Sequence, residues 1–430
     1  MKKSKFIRST LILIIGGALT KILGLIIKII TTRYLGDEGI GKYMLIMPTF
    51  MALISICQLG FPIAISKLVS EERQRGKNIL ISVIPISIFI NTILFIFVLF
   101  SAKFISYNML HEPDTYLGVL SIAFVLPFIS ISSIIRGYFF GKERMFPHVF
   151  SNVLEDIIRL IFLFITLPIF IKIGIEFAIA IAILSNILSE ISSIIILYLF
   201  LPKNVHITKE DFKIDKTGIK EVLNIGIPTT GNRLIGNLGY FLEPIILTSI
   251  LLHIGYSNNF IVSEYGIISG YVLPLLLIPS FFTMAISQAL IPIVSKNYVN
   301  NNKKYARTKM YQAIFVSLFI GIIFTIIVEL FPEFLLNTIY GTKKGVLYLK
   351  TLAPFCLLQY IQSPLSASLQ AIGKAKESMY STLIGTIARC AALFIFSYFH
   401  IGLWGLIISI IISMILVTFY NLFKLNHFFK

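Results

Sequence analysis

Acidic residues are scarce in this chain. Twenty Asp and Glu stand against 37 Lys and Arg among 430 residues, and charged residues of both signs make up only 13%. Ordinary soluble domains carry about 25% charged residues, so a soluble globule is excluded. Cysteine is nearly absent too, and Cys57, Cys356 and Cys390 all sit inside apolar stretches, which excludes a disulfide framework. The six histidines are scattered without metal-ligand spacing. No polar segment is long enough for a nucleotide-binding domain, and no nucleophile, base and orienting residue stand together. An enzyme is not expected, nor a cofactor, a nucleotide or a nucleic-acid partner. The run Gly36-Asp37-Glu38-Gly39-Ile40-Gly41-Lys42 has the spacing of a phosphate loop, but Tyr43 stands where Ser or Thr should bind magnesium, and no strand precedes it.

What the chain has is apolar sequence, 57% of all residues, gathered in blocks of roughly 20 to 28, the length that crosses a bilayer as helix. Twelve spans are expected: 9–32, 43–66, 79–100, 115–136, 149–171, 177–201, 222–251, 265–294, 311–331, 346–371, 379–399 and 401–423. The first is too long for a signal peptide and contains Lys21. The expected fold is therefore all-α and polytopic, with the lipid bilayer as its principal partner.

The surplus of +17 on a soluble protein would point to nucleic acid. Here the cations sort by depth. With the N-terminus in the cytoplasm, 24 of the 37 fall in inner segments and seven in outer connections, Arg33 and Lys42 among them. The positive-inside rule then places both termini in the cytoplasm, and the expected location is a bacterial plasma membrane. Six cations remain within or at the edge of the spans: Lys21, Lys28, Arg136, Arg159, Arg233 and Arg389. An ionisable residue there is costly and marks function by default.

The chain repeats itself. Pro62-Ile63-Ala64-Ile65-Ser66-Lys67 recurs as Ile291-Pro292-Ile293-Val294-Ser295-Lys296, Gly141-Lys142 as Gly373-Lys374, and Arg159 as Arg389, at offsets of about 229 to 232. Lys21-Ile22-Leu23-Gly24 matches Arg233-Leu234-Ile235-Gly236, its shorter offset absorbed by a longer outer loop around Leu252 to Glu264. Six spans return the chain to the same side, so the repeats are parallel. The expected organisation is an N-terminal six-helix lobe over 1–201, a cytoplasmic linker over 202–220 and a C-terminal six-helix lobe over 221–430. Val205, Phe212, Ile219 and Val222 suggest a short interfacial helix in the linker.

Each repeat opens on a helix with a small and polar stripe. Gly17, Lys21, Gly24 and Lys28 share one face of the first span, as Thr229, Arg233, Gly236, Tyr240 and Glu243 share one face of the seventh, with Asn232 and Asn237 flanking. Lys21 lies thirteen residues from Arg8 and eleven from Thr32, which is mid-bilayer at about 1.5 Å per residue. Lys21 and Arg233 are expected to line a cavity; Lys28, nearer the outer end, also has the position to snorkel to the headgroups. Arg159 has Glu155 and Asp156 at i−4 and i−3, the spacing of a local ion pair. Arg389 has no acid on its own helix and either serves the cavity or borrows a partner elsewhere. Pro48, Pro228, Pro244, Pro274 and Pro279 are expected to bend or loosen their helices.

Three stretches carry a resemblance: Lys21-Ile22-Leu23-Gly24, then Arg33-Tyr34-Leu35-Gly36-Asp37-Glu38-Gly39-Ile40-Gly41, then Gly60-Phe61-Pro62-Ile63-Ala64-Ile65-Ser66-Lys67. The pattern resembles the stage V sporulation protein B and polysaccharide biosynthesis family, within the superfamily that also holds the lipid II flippase and the multidrug and toxic compound extrusion transporters. The resemblance implies a V-shaped, two-lobed, alternating-access flippase. Its substrate would be a polyprenyl-pyrophosphate-linked glycan, such as a peptidoglycan precursor, carried to the outer leaflet, with cell-wall synthesis proteins as partners. It implies cavity-lining roles for Lys21 and Arg33, while Lys28 falls where the pattern has no cation. With the stripes, the expected substrate-binding residues are Lys21, Lys28, Arg33, Arg233, Asn232, Asn237 and Arg389. The alternative is a cation-coupled drug exporter of the same superfamily. It needs a titratable acid, for which Glu243 is the best candidate, and Thr382 and Thr386 are the further candidates for a coupling-ion site. Sodium, protons or the membrane potential are the expected sources of energy.

Overall fold

A computed structural model describes residues 2–71, 76–142, 144–202 and 216–429. The described residues are helical with no strand, as hydrocarbon requires of a chain that must satisfy its backbone internally. The order is α1 (Lys2–Cys57), α2 (Phe61–Glu71), α3 (Gly76–Phe104), α4 (Tyr116–Gly141), α5 (Met145–Ile173), α6 (Ile175–Phe200), α7 (Lys216–His253), α8 (Asn258–Gly266), α9 (Leu273–Leu276), α10 (Ser280–Val299), α11 (Lys303–Leu330), α12 (Pro332–Tyr340), α13 (Val346–Ala371), α14 (Ala375–Ser397) and α15 (Trp404–Phe428). Among the described residues, nine helical stretches are long and apolar enough to cross a membrane, and one of these, Ile15–Glu71, holds the second expected span and most of the first.

The packing divides the chain into two units, Met1–Asn237 and Leu238–Lys430. The division falls inside α7, whose first half is built into the first unit. Most of the expected linker, 203–215 with Val205 and Phe212, lies outside the described residues.

In the first unit the connection between the first two spans is a kink. Two helical segments of α1 meet at Gly36, which alone leaves helical geometry, at φ 65° and ψ −173°. A left-handed φ costs glycine nothing, so one residue redirects the chain. Just beyond, Lys42 is buried among three carboxylates, Glu38 at 2.6 Å, Asp114 at 2.5 Å and Glu112 at 3.6 Å. Lys42, counted in the sequence only as one of seven cations in the connections, is thus a buried ion-pair centre. It is a clasp tying α1 to the turn before α4, satisfied where a lone buried ammonium would not be.

Helix α1 stops at Leu59 and Gly60, both with positive φ, and α2 restarts the span. Phe61, Ala64, Ile65 and Val69 of α2 form a core with Ile79, Leu80 and Val83 of α3, Ile134, Tyr138 and Phe139 of α4, Leu197 of α6 and Val222 of α7. Gly137 and Gly141 let α4 approach the α2 backbone, since a Cβ at either would crowd Pro62 or Ser66. Such small-residue contacts replace the hydrophobic drive that lipid removes.

In the second unit the eighth span is broken, as its prolines suggested. Helix α8 passes through a π-helical turn, Ile267–Val272, into α9, a turn at Leu277–Pro279 follows, and α10 resumes. Helix assignment continues through Pro48 in α1 and through Pro228 and Pro244 in α7. Leu290 and Val294 of α10, Ala306 and Met310 of α11, Leu365 and Leu369 of α13 and Leu425 of α15 share the core at one end of this unit.

The break after α1 generates a stability prediction. A Cβ on Gly60, whose φ is 63°, would lie 2.8 Å from the Gly226 carbonyl oxygen, and one on Gly226 would overlap the Leu59 carbonyl oxygen. Gly60→Ala is expected to cost about 1–3 kcal/mol through backbone strain, and Gly226→Val to cost more. Thermal unfolding of purified protein checks both; transitions equal to wild type would show that α7 does not press on this turn.

Candidate functional site

The first half of α7 is anchored to the end of α1 by polar contacts. Arg233 donates from Nη1 to Gln58 Oε1 at 2.9 Å, and Asn237 donates from Nδ2 to the buried Ser55 Oγ at 3.1 Å. Thr229 and Thr230 bond back to the carbonyls of Ile225 and Gly226, so no hydroxyl competes for these partners. Arg233 itself remains exposed. Asn232 falls on the same turn, and its side chain lies outside the described residues.

The stripe on α1 is equally open. Lys21 and Arg33 are exposed and Lys28 is half-buried. A Cβ added at Gly17 or Gly24 of α1, or at Gly231 or Gly236 of α7, would meet nothing within 4 Å. The glycines therefore do not serve tight packing, unlike Gly16, whose Cβ would clash with Val149 of α5. They leave space beside the cations. Asp156 of α5 lies in the field of Lys21 as well as of Arg159 and Arg136, which connects this stripe to a cluster behind it.

That cluster departs from expectation. Glu155 does not pair with Arg159 one turn away. Arg136 of α4 takes it instead, and from the same Nη2 also reaches Ser193 Oγ at 2.8 Å and Glu190 Oε2 at 3.5 Å, both on α6. Among the described residues Arg159 has no ion pair within 4.0 Å, and its Nε is buried without a hydrogen-bond partner. A guanidinium donates in several directions and fits two carboxylates at once, so Arg136 ties three helices together. Glu190 carried a signal in the sequence, a single acid in an otherwise apolar and serine-bearing span. Nothing in local spacing marked its partner on another helix.

In the second unit Arg389 of α14 borrows its partner. It pairs with Glu243 of α7, whose side chain is only 3% exposed, and Tyr265 of α8 donates its hydroxyl to Glu243 Oε1 at 3.5 Å. The two helices approach closely because Gly239 faces Thr386 and Cys390; the Cys390 thiol reaches the Gly239 carbonyl at 3.9 Å. Thr382 is exposed and bonds the Ser378 carbonyl on its own helix at 3.1 Å. The coupling-ion candidates Glu243, Thr382 and Thr386 all lie in the second unit. Among the described residues no three His, Cys, Asp or Glu converge to hold a metal.

Chemically, the first unit presents cations beside open space, suited to an anionic ligand, and the second buries a neutralised pair. Residues 6–298 match the family described as polysaccharide biosynthesis protein, and residues 244–395 match the MatE family. Stage V sporulation protein B of Bacillus subtilis (strain 168) is 35% identical over 97% of this chain and 83% of its own length. Lipid II flippase MurJ of the same organism is 22% identical, over 90% of this chain and 76% of its own length. Among solved structures, the inward-facing conformation of a multidrug resistance MATE family transporter of the MOP superfamily superposes with a TM-score of 0.72, at 20% identity, covering 95% of each chain. That likeness concerns the fold.

Removing one member of a buried pair strands the other, at about 3–5 kcal/mol. Glu243→Ala or Arg389→Ala is expected to lower the unfolding temperature markedly, and Glu243→Gln combined with Arg389→Gln to recover much of the loss. Single variants as stable as wild type would mean the pair holds nothing together.

Proposed function

The chain belongs to the polysaccharide biosynthesis protein family, and we propose that it is a multi-pass membrane flippase which carries a polyprenyl-pyrophosphate-linked glycan from the inner to the outer leaflet. The observation that carries this reading is the repeat-related pair Lys21 and Arg233, both exposed on helices that belong in hydrocarbon. A lipid-facing cation at mid-span costs at least about 2.5–3.5 kcal/mol. The same cation beside an open, hydrated groove costs far less and attracts a pyrophosphate. Arg33 adds an exposed cation on α1 beyond Lys28, and Asn237 stands one turn beyond Arg233. The glycines alongside leave room for a sugar head, while the polyprenyl tail stays in lipid.

The reading takes support from relatives on two sides. One is named for sporulation and the other for flipping lipid II, so the substrate class is a lipid-linked wall precursor, and the setting is a bacterial plasma membrane with both termini in the cytoplasm. Wall-synthesis proteins are the natural partners, as suppliers and acceptors of such a lipid. Transport proceeds by alternating access without a chemical step in the protein, driven by sodium, protons or the membrane potential. A drug exporter on this fold would need an acid available to titrate. Glu243, the best candidate, is held by Arg389, and the α1 stripe of lysines repels cationic drugs.

The test is genetic. In a strain dependent on this flippase, Lys21→Ala and Arg233→Ala each abolish complementation while the protein still accumulates in the membrane. Full complementation by both variants contradicts the reading.

A further inference from the structure

One end of the second unit carries far more positive charge than its own acids neutralise. The end of α10, the start of α11, the start of α14 and the end of α15 bring together Lys296, Lys303, Lys304, Arg307, Lys309, Lys374, Lys376 and Lys424. Glu377 is the acid of this region with a described ion pair, and it is committed to Lys424 at 3.1 Å and to the Tyr420 hydroxyl at 2.8 Å. None of the other seven cations has an ion pair within 4.0 Å among the described residues. Several are held over aromatic rings instead: Lys303 over Tyr298 at 5.6 Å, Arg307 over Tyr311 at 5.6 Å and Lys309 over Tyr305 at 5.2 Å. Tyrosine at this level is the mark of a headgroup boundary.

Helix α11 divides sharply between its two sides. Ala306, Met310, Ala313, Ser317 and Gly321 face the core. The opposite side bears a groove of about 560 Å³ lined by Thr308, Tyr311, Gln312, Phe315 and Val316. Its polar members lie in the turns that carry the cations. Its apolar members lie one turn deeper, with Phe315 68% exposed and Val316 44% exposed, and exposed Phe319 continues the same line. Tyr311 is fixed by its hydroxyl bond to Asn426 Oδ1 at 3.1 Å, and Gln312 by accepting from Lys309 Nζ at 3.0 Å, so the polar rim is braced from both sides.

We propose that this groove on α11 seats an anionic phospholipid of the surrounding leaflet, with its headgroup at Arg307, Lys309 and Gln312 and an acyl chain along Phe315 and Val316. A soluble phosphate would find the cations but gain nothing from the apolar floor. A zwitterionic lipid would fill the floor but present no net charge to the cations. Only a lipid with a net negative headgroup satisfies both parts, and cations at a membrane surface each favour such a lipid. The site uses none of the residues assigned to the glycan, so it stands or falls independently of the transport reading.

The experiment is lipid retention by purified full-length protein, read by native mass spectrometry after exchange into detergent with added phosphatidylglycerol or phosphatidylcholine. Wild type is expected to retain phosphatidylglycerol selectively. Arg307→Gln with Lys309→Gln weakens that retention by roughly fivefold for each cation removed and leaves phosphatidylcholine binding unchanged. Should the double variant fold poorly, Val316→Trp fills the exposed floor without touching the charge and must also displace phosphatidylglycerol. Equal retention of the two lipids by wild type overturns the proposal, as does an unchanged preference in the variants. Displacement of phosphatidylglycerol by equimolar polyprenyl phosphate also overturns it, because the groove would then belong to the carried lipid.

Discussion

An ion placed among hydrocarbon must be met by a counter-ion or by water, and that constraint sorts the charged residues of this protein. Arg136, Lys42 and Arg389 are met by carboxylates: Glu155 and Glu190, the trio Glu38, Glu112 and Asp114, and Glu243. Apart from Glu38, which sits one turn from Lys42 on α1, these acids lie on other elements, and each such contact becomes a structural tie because breaking it strands a buried charge. Lys21, Arg33 and Arg233 stand on open faces of α1 and α7. The cost of a cation that faces lipid at mid-span makes the exposure of Lys21 and Arg233 informative.

The two kinds of charge meet in the first unit. Lys21 acts on Asp156, which also feels Arg159 and Arg136, and Arg136 binds the acids of α5 and α6. The open stripe on α1 thus rests against a charged network that spans α4, α5 and α6. On its other flank the turn Gln58–Gly60 receives α7 through Gln58, Ser55 and the glycine contact at Gly226. The second unit is quieter electrostatically. Its buried pair closes α7 onto α14, and eight of its cations gather at one end, several of them over tyrosine rings.

Much of this was legible in the sequence, and the limits are physical. Block length marked the apolar helices, and glycine between lysines marked the open face of α1. The tightness of the first connection was harder to see, because a single glycine at φ 65° joins two helical segments, whereas the prolines of the eighth span did disrupt it. Ion-pair partners were the least legible feature. Spacing proposed Arg159 for Glu155, since residues four apart on a helix are neighbours, but packing offered Arg136 from the next helix with better geometry. Lys42 looked like a loop charge because its three carboxylates come from residues 38, 112 and 114. Only for Arg389, which had no acid on its own helix, did the sequence suggest a remote partner.

The central claim is that this protein moves an anionic lipid-linked glycan across a bilayer. Its most direct measurement is reconstitution of the purified protein into vesicles holding labelled lipid II or another polyprenyl-pyrophosphate-linked sugar. Exposure of the inner-leaflet label to an external reagent is then followed over time. The account predicts protein-dependent translocation of at least one such substrate and none of a neutral glycolipid of similar size. Vesicles that expose every polyprenyl-linked substrate no faster than protein-free controls would contradict it.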